Sequence, residues 1–254
     1  MSPAFTDIFQ SSQFTFFVGE AKEPIFVHAK AFAGISDPLD RLINGDLREA
    51  SDKYAELLDI DKGDFLRLCE FVYRGKYTGP DVLETEPDMT IIPHWFGHDN
   101  DVSPADRALS ALFTHARMYC LADRYLVRGL KEKALNHLDS AFNTYVEVAK
   151  EAGPIVDLIR FTYDNSNARG GWDQGRNLRE TVVDRLGGLA SRLDRSNEFQ
   201  ELIEEGGEFV VDYWRWMRKE QREKDGLMEA LERGYRYVSP VPSVQNDGWG
   251  GGQY

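Results

Sequence analysis

The sequence predicts an α+β fold in which short strands and helices come first and helices alone follow. Two observations carry this. Residues 14–58 hold three short runs rich in Phe, Val, Ile and Tyr, separated by turn residues. From residue 105 onward the apolar residues recur at a helical period. A chain of 254 residues with 42% hydrophobic, 12% aromatic and 29% charged residues is long and apolar enough to bury a core.

Phe14-Thr15-Phe16-Phe17-Val18 and Pro24-Ile25-Phe26-Val27-His28 read as two strands of a hairpin turning at Gly19. Lys30–Ile35 is compact and helix-compatible. Ser36-Asp37-Pro38 is a helix start, with proline near the first helical position, and Leu39, Leu42 and Ile43 give that helix an apolar face before Asn44-Gly45. Tyr54–Leu58 reads as a third strand. Asp61–Asp64 is a turn and cap. Phe65, Leu68, Cys69 and Val72 then recur at i, i+3, i+4 and i+7, an amphipathic helix that ends at Arg74-Gly75.

Residues 78–104 differ. They carry four of the ten prolines, six acidic residues and no Lys or Arg, and read as an extended insert. Beyond it, Leu109, Leu112, Phe113, Ala116, Tyr119 and Cys120 form one helical stripe, and Leu126, Leu130, Ala134, Leu138 and Phe142 form another after a break at Asp123-Arg124-Tyr125. Val156–Tyr163 is a third helix, Asn165–Gly175 a Gly/Asn loop, and Leu178 to Leu193 a fourth helix. Phe199–Ile203 is short, and Phe209 to about Tyr237 is a long final helix. Residues 239–254 form a Gly-rich tail expected to be disordered.

Charge and cysteine content narrow the function classes. The chain has 30 basic and 43 acidic residues, net −13, with the excess concentrated in residues 1–101. Nucleic-acid backbones and anionic membranes repel such a surface, so neither is an expected partner. Only Cys69 and Cys120 are present, too few for a disulfide scaffold, which favours a reducing compartment: intracellular, cytoplasmic or nuclear. The opening ten residues have neither a basic segment nor an apolar run, so no secretory signal is expected, and no apolar run approaches the roughly 20 residues that span a bilayer.

A group of motifs then becomes informative by its order. Phe26-Val27-His28, Asp37-Pro38-Leu39, Asn44-Gly45, Arg48-Glu49-Ala50 and the run Phe65 to Tyr77 are followed by His115-Ala116-Arg117-Met118-Tyr119, Ala122-Asp123-Arg124-Tyr125 and Leu130. In that order they resemble the BTB/POZ domain, in particular its fungal type, which often carries a proline-rich acidic insert before the last helix pair. Glu198-Phe199 to Asp212 is similar to the helical, BACK-like extension of the same group. The resemblance covers roughly residues 12–215. It implies an N-terminal tail at 1–11, a BTB/POZ domain at 12–145 with the insert 78–104, and a helical extension at 146–238. Gln13 stands where the family often has Asp, and Ala29-Lys30 follow the His where a basic and then a small residue is usual, so the charged corepressor pocket of transcription-factor members is not expected.

The resemblance implies a non-enzymatic protein–protein interaction module. It would act by homodimerisation or other oligomerisation, or as an adaptor recruiting a cullin-type ubiquitin-ligase scaffold. In members that recruit cullins, the surface near Tyr73 and the later helix pair makes the contact, which assigns protein binding to Tyr73, Glu70, Tyr119 and Tyr125. A stand-alone scaffold, or a transcription-linked regulator that does not itself touch DNA, is the alternative of the same class.

Catalytic motifs are sparse. The chain has no phosphate-binding P-loop, no strand-coupled dinucleotide loop, no serine-hydrolase elbow and no zincin helix, and no cofactor is expected. Gly170–Gly175 falls between helices and reads as a plain loop. The one enzymatic alternative is a metal or thiol site from His94 and His98, four apart, with His115 and Cys120. Cys69 and Cys120 sit on apolar stripes and read as buried structural thiols, and His28 as a hydrogen-bonded structural residue. Trp214 and Trp216 flank Arg215 in a run of mixed charges, so a solvated helix with one Trp at an interface is expected there.

Overall fold

A computed structural model describes residues 4–80, 103–166 and 176–236. The chain divides into two units, Met1–Asp212 and Tyr213–Tyr254. The described residues are mixed α+β, mostly helical with one small three-stranded sheet.

The first unit begins with a helical turn, α1 (Phe5–Phe9), then strands β1 (Gln13–Val18) and β2 (Glu23–His28). Short helices α2 (Ala29–Phe32), α3 (Asp37–Asn44) and α4 (Arg48–Asp52) lead to β3 (Tyr54–Leu57) and α5 (Lys62–Arg74). The strand order is β2-β1-β3, with β1 antiparallel to β2 and parallel to β3. Alternation along β1 sends Phe14, Phe16 and Val18 inward, where Phe16 meets Phe14, Phe32 and Phe65 at ring distances of 4.9–5.9 Å. Both helix starts read from the sequence are capped by side chains: Ser36 accepts from Leu39 N and Asp61 from Asp64 N. Gly75, at φ 68, closes α5 in the left-handed region.

After the described part of the insert come α6 (Pro104–Arg124) and α7 (Arg128–Val148), which fold back on one another. Then follow α8 (Gly153–Asn165), α9 (Leu178–Leu186), a 3-10 turn at Gly187–Leu189, α10 (Ala190–Leu193), α11 (Asn197–Glu205) and α12 (Glu208–Arg236). Arg179 on α9, almost fully buried, donates to Glu208, to the carbonyls of Tyr163 and Ser166 and lies 4.4 Å from the Tyr163 ring centre. One guanidinium thereby holds the end of α8 and the first turn of α12 to α9.

Several expectations are corrected. Residues 5–9, read as tail, form α1, and Arg48–Asp52 form the unforeseen α4, ended by Lys53 at φ 63. Pro104, assigned to the insert, is the first residue of α6, with Ser103 as its cap. Leu126 is not on the α7 stripe. It sits in the turn at φ 55, 38% exposed, because the chain must reverse between α6 and α7 there. The single helix expected over 178–193 is broken at Gly187-Gly188, where two poor helix formers meet and Gly188 lies against Val146. The boundary expected at 145 falls inside α7. Residues 81–102 of the insert, the loop residues 167–175 with Gly170–Gly175, and residues 237–254 lie outside the described residues.

In the second unit the helix α12 continues from Tyr213 to Arg236, with Tyr213 and Trp216 stacked at 5.7 Å. Residues 221–230 are exposed on every side of it. Among the described residues no helix is long and apolar enough to cross a membrane.

Candidate protein-binding surface

Four rings form a continuous row on the first unit. Phe5 and Phe9, one helical turn apart on α1, have centroids 4.9 Å apart. Phe9 lies 5.0 Å from the His28 ring at the end of β2, and His28 meets Tyr73 of α5 edge-on at 6.0 Å. Phe5, Phe9 and Tyr73 are 71%, 59% and 39% exposed. Phe26, two residues before His28 and so on the same face of β2, is 66% exposed. The sequence places α1 there through Ser11, whose hydroxyl donates to Ile8 O at 2.7 Å and accepts from Lys30 N at 3.2 Å, tying the end of α1 to the start of α2.

The row is anchored by a double bond between side chain and strand. The Tyr73 hydroxyl accepts the His28 backbone N–H at 2.9 Å and makes a second hydrogen bond with His28 Nδ1 at 2.9 Å. Burial raises the Tyr73 pKa, the His28 N–H lowers it and nearby Cys69 adds a smaller rise, leaving it above the usual phenol value, so the hydroxyl keeps its proton. The bond also changes the strand edge. Ala29 N donates to Ser12 O, which fixes the bonded pairs of the β1–β2 ladder at 14/27, 16/25 and 18/23. The backbone N positions of residues 24, 26 and 28 therefore face the open edge. Pro24 has no N–H, and the His28 N–H is taken by Tyr73.

The other residues assigned from the resemblance fare differently. Glu70 is engaged by α5 itself and by the chain that follows it. It accepts from Arg74, from Thr78 N at 2.6 Å and from the Thr78 hydroxyl at 3.0 Å, clamping the chain that leaves α5. Tyr119 is only 3% exposed and lies under the Lys131 ammonium, 5.1 Å from its ring centre, so it offers a partner almost no surface. Lys131 in turn is paired with Asp123 at 2.8 Å. Tyr125 is half-buried beside the Arg124–Asp59 ion pair, and burial raises its pKa. Phe5, Phe9 and Phe26 were not read from the sequence as site residues. The alternation Pro24, Phe26, His28 against Ile25, Val27 was the one available signal for Phe26.

Of the residues of the enzymatic alternative, only His115 and Cys120 fall among the described residues. His94 and His98 lie outside the described residues. His115 is buried, hydrogen-bonded through Nδ1 to the Tyr77 hydroxyl at 2.9 Å, with the His137 ring 5.2 Å away. Burial first, then His137 and Arg67, push its pKa down to about 3. Burial pushes the Cys69 and Cys120 thiols up to about 12, which keeps both protonated and unreactive. Among the described residues no group of three or more His, Cys, Asp or Glu is placed to hold a metal ion.

Against known proteins, the chain matches no family model and no curated protein sequence. The class its fold defines is a mixed α+β chain with a three-stranded sheet and an α-helical continuation.

Proposed function

We propose that this chain is a non-enzymatic protein–protein interaction module of the BTB/POZ type, and that its first unit docks a cullin-type ubiquitin-ligase scaffold. The observation that carries the reading is the exposed row Phe5, Phe9, His28 and Tyr73, extended by Phe26. Contiguous exposed aromatic surface on a folded unit marks an interaction site, because leaving it in water costs the unit solubility and gains it nothing in stability. Recognition would rest on apolar and shape complementarity, with Phe9 and Tyr73 as anchors. The order of motifs and the hairpin-plus-helices architecture support the family assignment.

Calorimetric titration with the N-terminal domain of a BTB-binding cullin tests this, with light scattering on the same sample. Binding at about micromolar affinity or tighter is expected, weakened at least roughly tenfold by Phe9→Ala and by Tyr73→Ala. No heat, together with a chain mass above that of the monomer that Phe9→Ala returns to the monomer, would replace the scaffold with self-association at the same row.

A further inference from the structure

We infer that the second unit is a self-association device: α12 pairs antiparallel with α12 of a second copy of this chain. This does not rest on the cullin reading and uses a different surface. Between Trp214 and Met228 a seam recurs with the alternating spacing of three and four that defines a coiled-coil face: Trp214, Met217, Gln221, Lys224, Met228. All five are exposed, Trp214 by 57% and Met228 by 58%. The stretch 221–230 is open on every side; within it Gln221 donates to Asp225 at 2.8 Å, and Lys219 and Glu223 approach at 4.0 Å on the preceding turn. A helix so exposed is marginal without a tertiary partner.

The order of residues along the seam selects both occupant and direction. In an antiparallel pair of identical helices, Met217 meets Met228 of the other copy, and Gln221 meets Lys224 of the other copy. Apolar layers then fall on apolar ones and polar on polar. The Gln221 amide nitrogen is used on Asp225, which leaves its carbonyl oxygen to accept from the second copy's Lys224 ammonium. Beside the seam, Arg218 faces Asp225 of the other copy, and the two-fold repeats that ion pair. In a parallel pair Lys224 would stack on Lys224, and Glu220 would face Asp225. Both contacts are repulsive, so the parallel arrangement is disfavoured by the charges that favour the antiparallel one. The polar Gln221–Lys224 layers weaken the pair and fix its register.

Sedimentation of the full chain tests this. A concentration-dependent mass reaching twice the 29.0 kDa chain is expected. Arg218→Asp and Asp225→Arg should each weaken the dimer by roughly tenfold, and the double exchange should restore it to within about threefold. All of these positions are exposed, so unchanged far-ultraviolet circular dichroism is the folding control. A chain that stays monomeric at about 100 µM overturns the inference. So does a tighter dimer in Asp225→Arg, the outcome for parallel pairing. A dimer that withstands Arg218→Asp but is lost in Phe9→Ala is held by the first unit, and overturns the helix pairing while leaving the aromatic row intact as an interface.

Discussion

Asp64 and Arg117, 53 residues apart in sequence, form an ion pair at 2.6 Å that joins α5 to α6. The same carboxylate accepts from Arg67 at 3.1 Å, and Arg117 also reaches the Thr114 hydroxyl. The helices on either side of the insert are thus fastened by one nearly buried acid.

Asp64→Ala therefore removes the acid that both Arg117 and the buried Arg67 donate to. Loss of about 3 kcal/mol in unfolding free energy is expected, read as a lower denaturant midpoint at unchanged slope. Asp64→Ala and Arg117→Ala should be clearly non-additive, with a coupling of about 1 kcal/mol, because both remove the same pair.

Stability should fall with acid. His115 binds a proton in the unfolded chain near its ordinary value of 6.5, and in the folded chain only near 3. Burial lowers the His137 pKa too, with Lys133 adding to it. The folded form then holds fewer protons across that window, so stability is full above about pH 6.5 and drains as pH falls toward 3, by at most about 1.4 kcal/mol per pH unit for each group. Urea melts from about pH 7 to about pH 5 should show this slope, and His115→Gln should flatten it. A slope that is the same in the variant would assign the acid sensitivity to other groups.

Leu126→Gly should stabilise the chain by about 0.5–1 kcal/mol. Its φ of 55 is unfavourable for a residue with a Cβ, and over a third of the residue is already in water. A thermal melt raised by a few degrees is the expected reading. A lowered one would mean that the leucine packs more usefully than its exposure indicates.

Much of the first unit was legible because its signals are local. The Phe14–Val18 alternation, the Ser36 and Asp61 caps, the i, i+3, i+4 recurrence from Phe65 and the stop at Gly75 are all properties of a few adjacent residues. What escaped was decided by distant contacts. α1 has no buried residue, so it carries no periodic apolar face to read. On α6 the buried set includes Thr114, His115 and Met118 as well as the apolar stripe, because the helix is covered on more than one side. Glu70 and Tyr119 are chemically suitable for binding a partner, but one is spent on Thr78 and the other is covered by Lys131. Alternation in β2 separates Phe26 from Val27, yet which of the two faces is covered depends on helices that arrive later in the chain.

The blocked edge of β2 has a consequence for how the protein survives at high concentration. A strand that carries an exposed phenylalanine is a template for stacking like upon like, and the route from such a strand to fibrils runs through its unpaired N–H groups. Here two of the three are gone, one to Pro24 and one to the Tyr73 hydroxyl, and among the described residues only the N–H of Phe26 is left. Pro24→Val with Tyr73→Phe should restore both donors while keeping the rings, and should make the chain scatter light and bind thioflavin on standing. A proline and a tyrosine hydroxyl thus blunt the edge of the sheet while Phe26 stays exposed beside it.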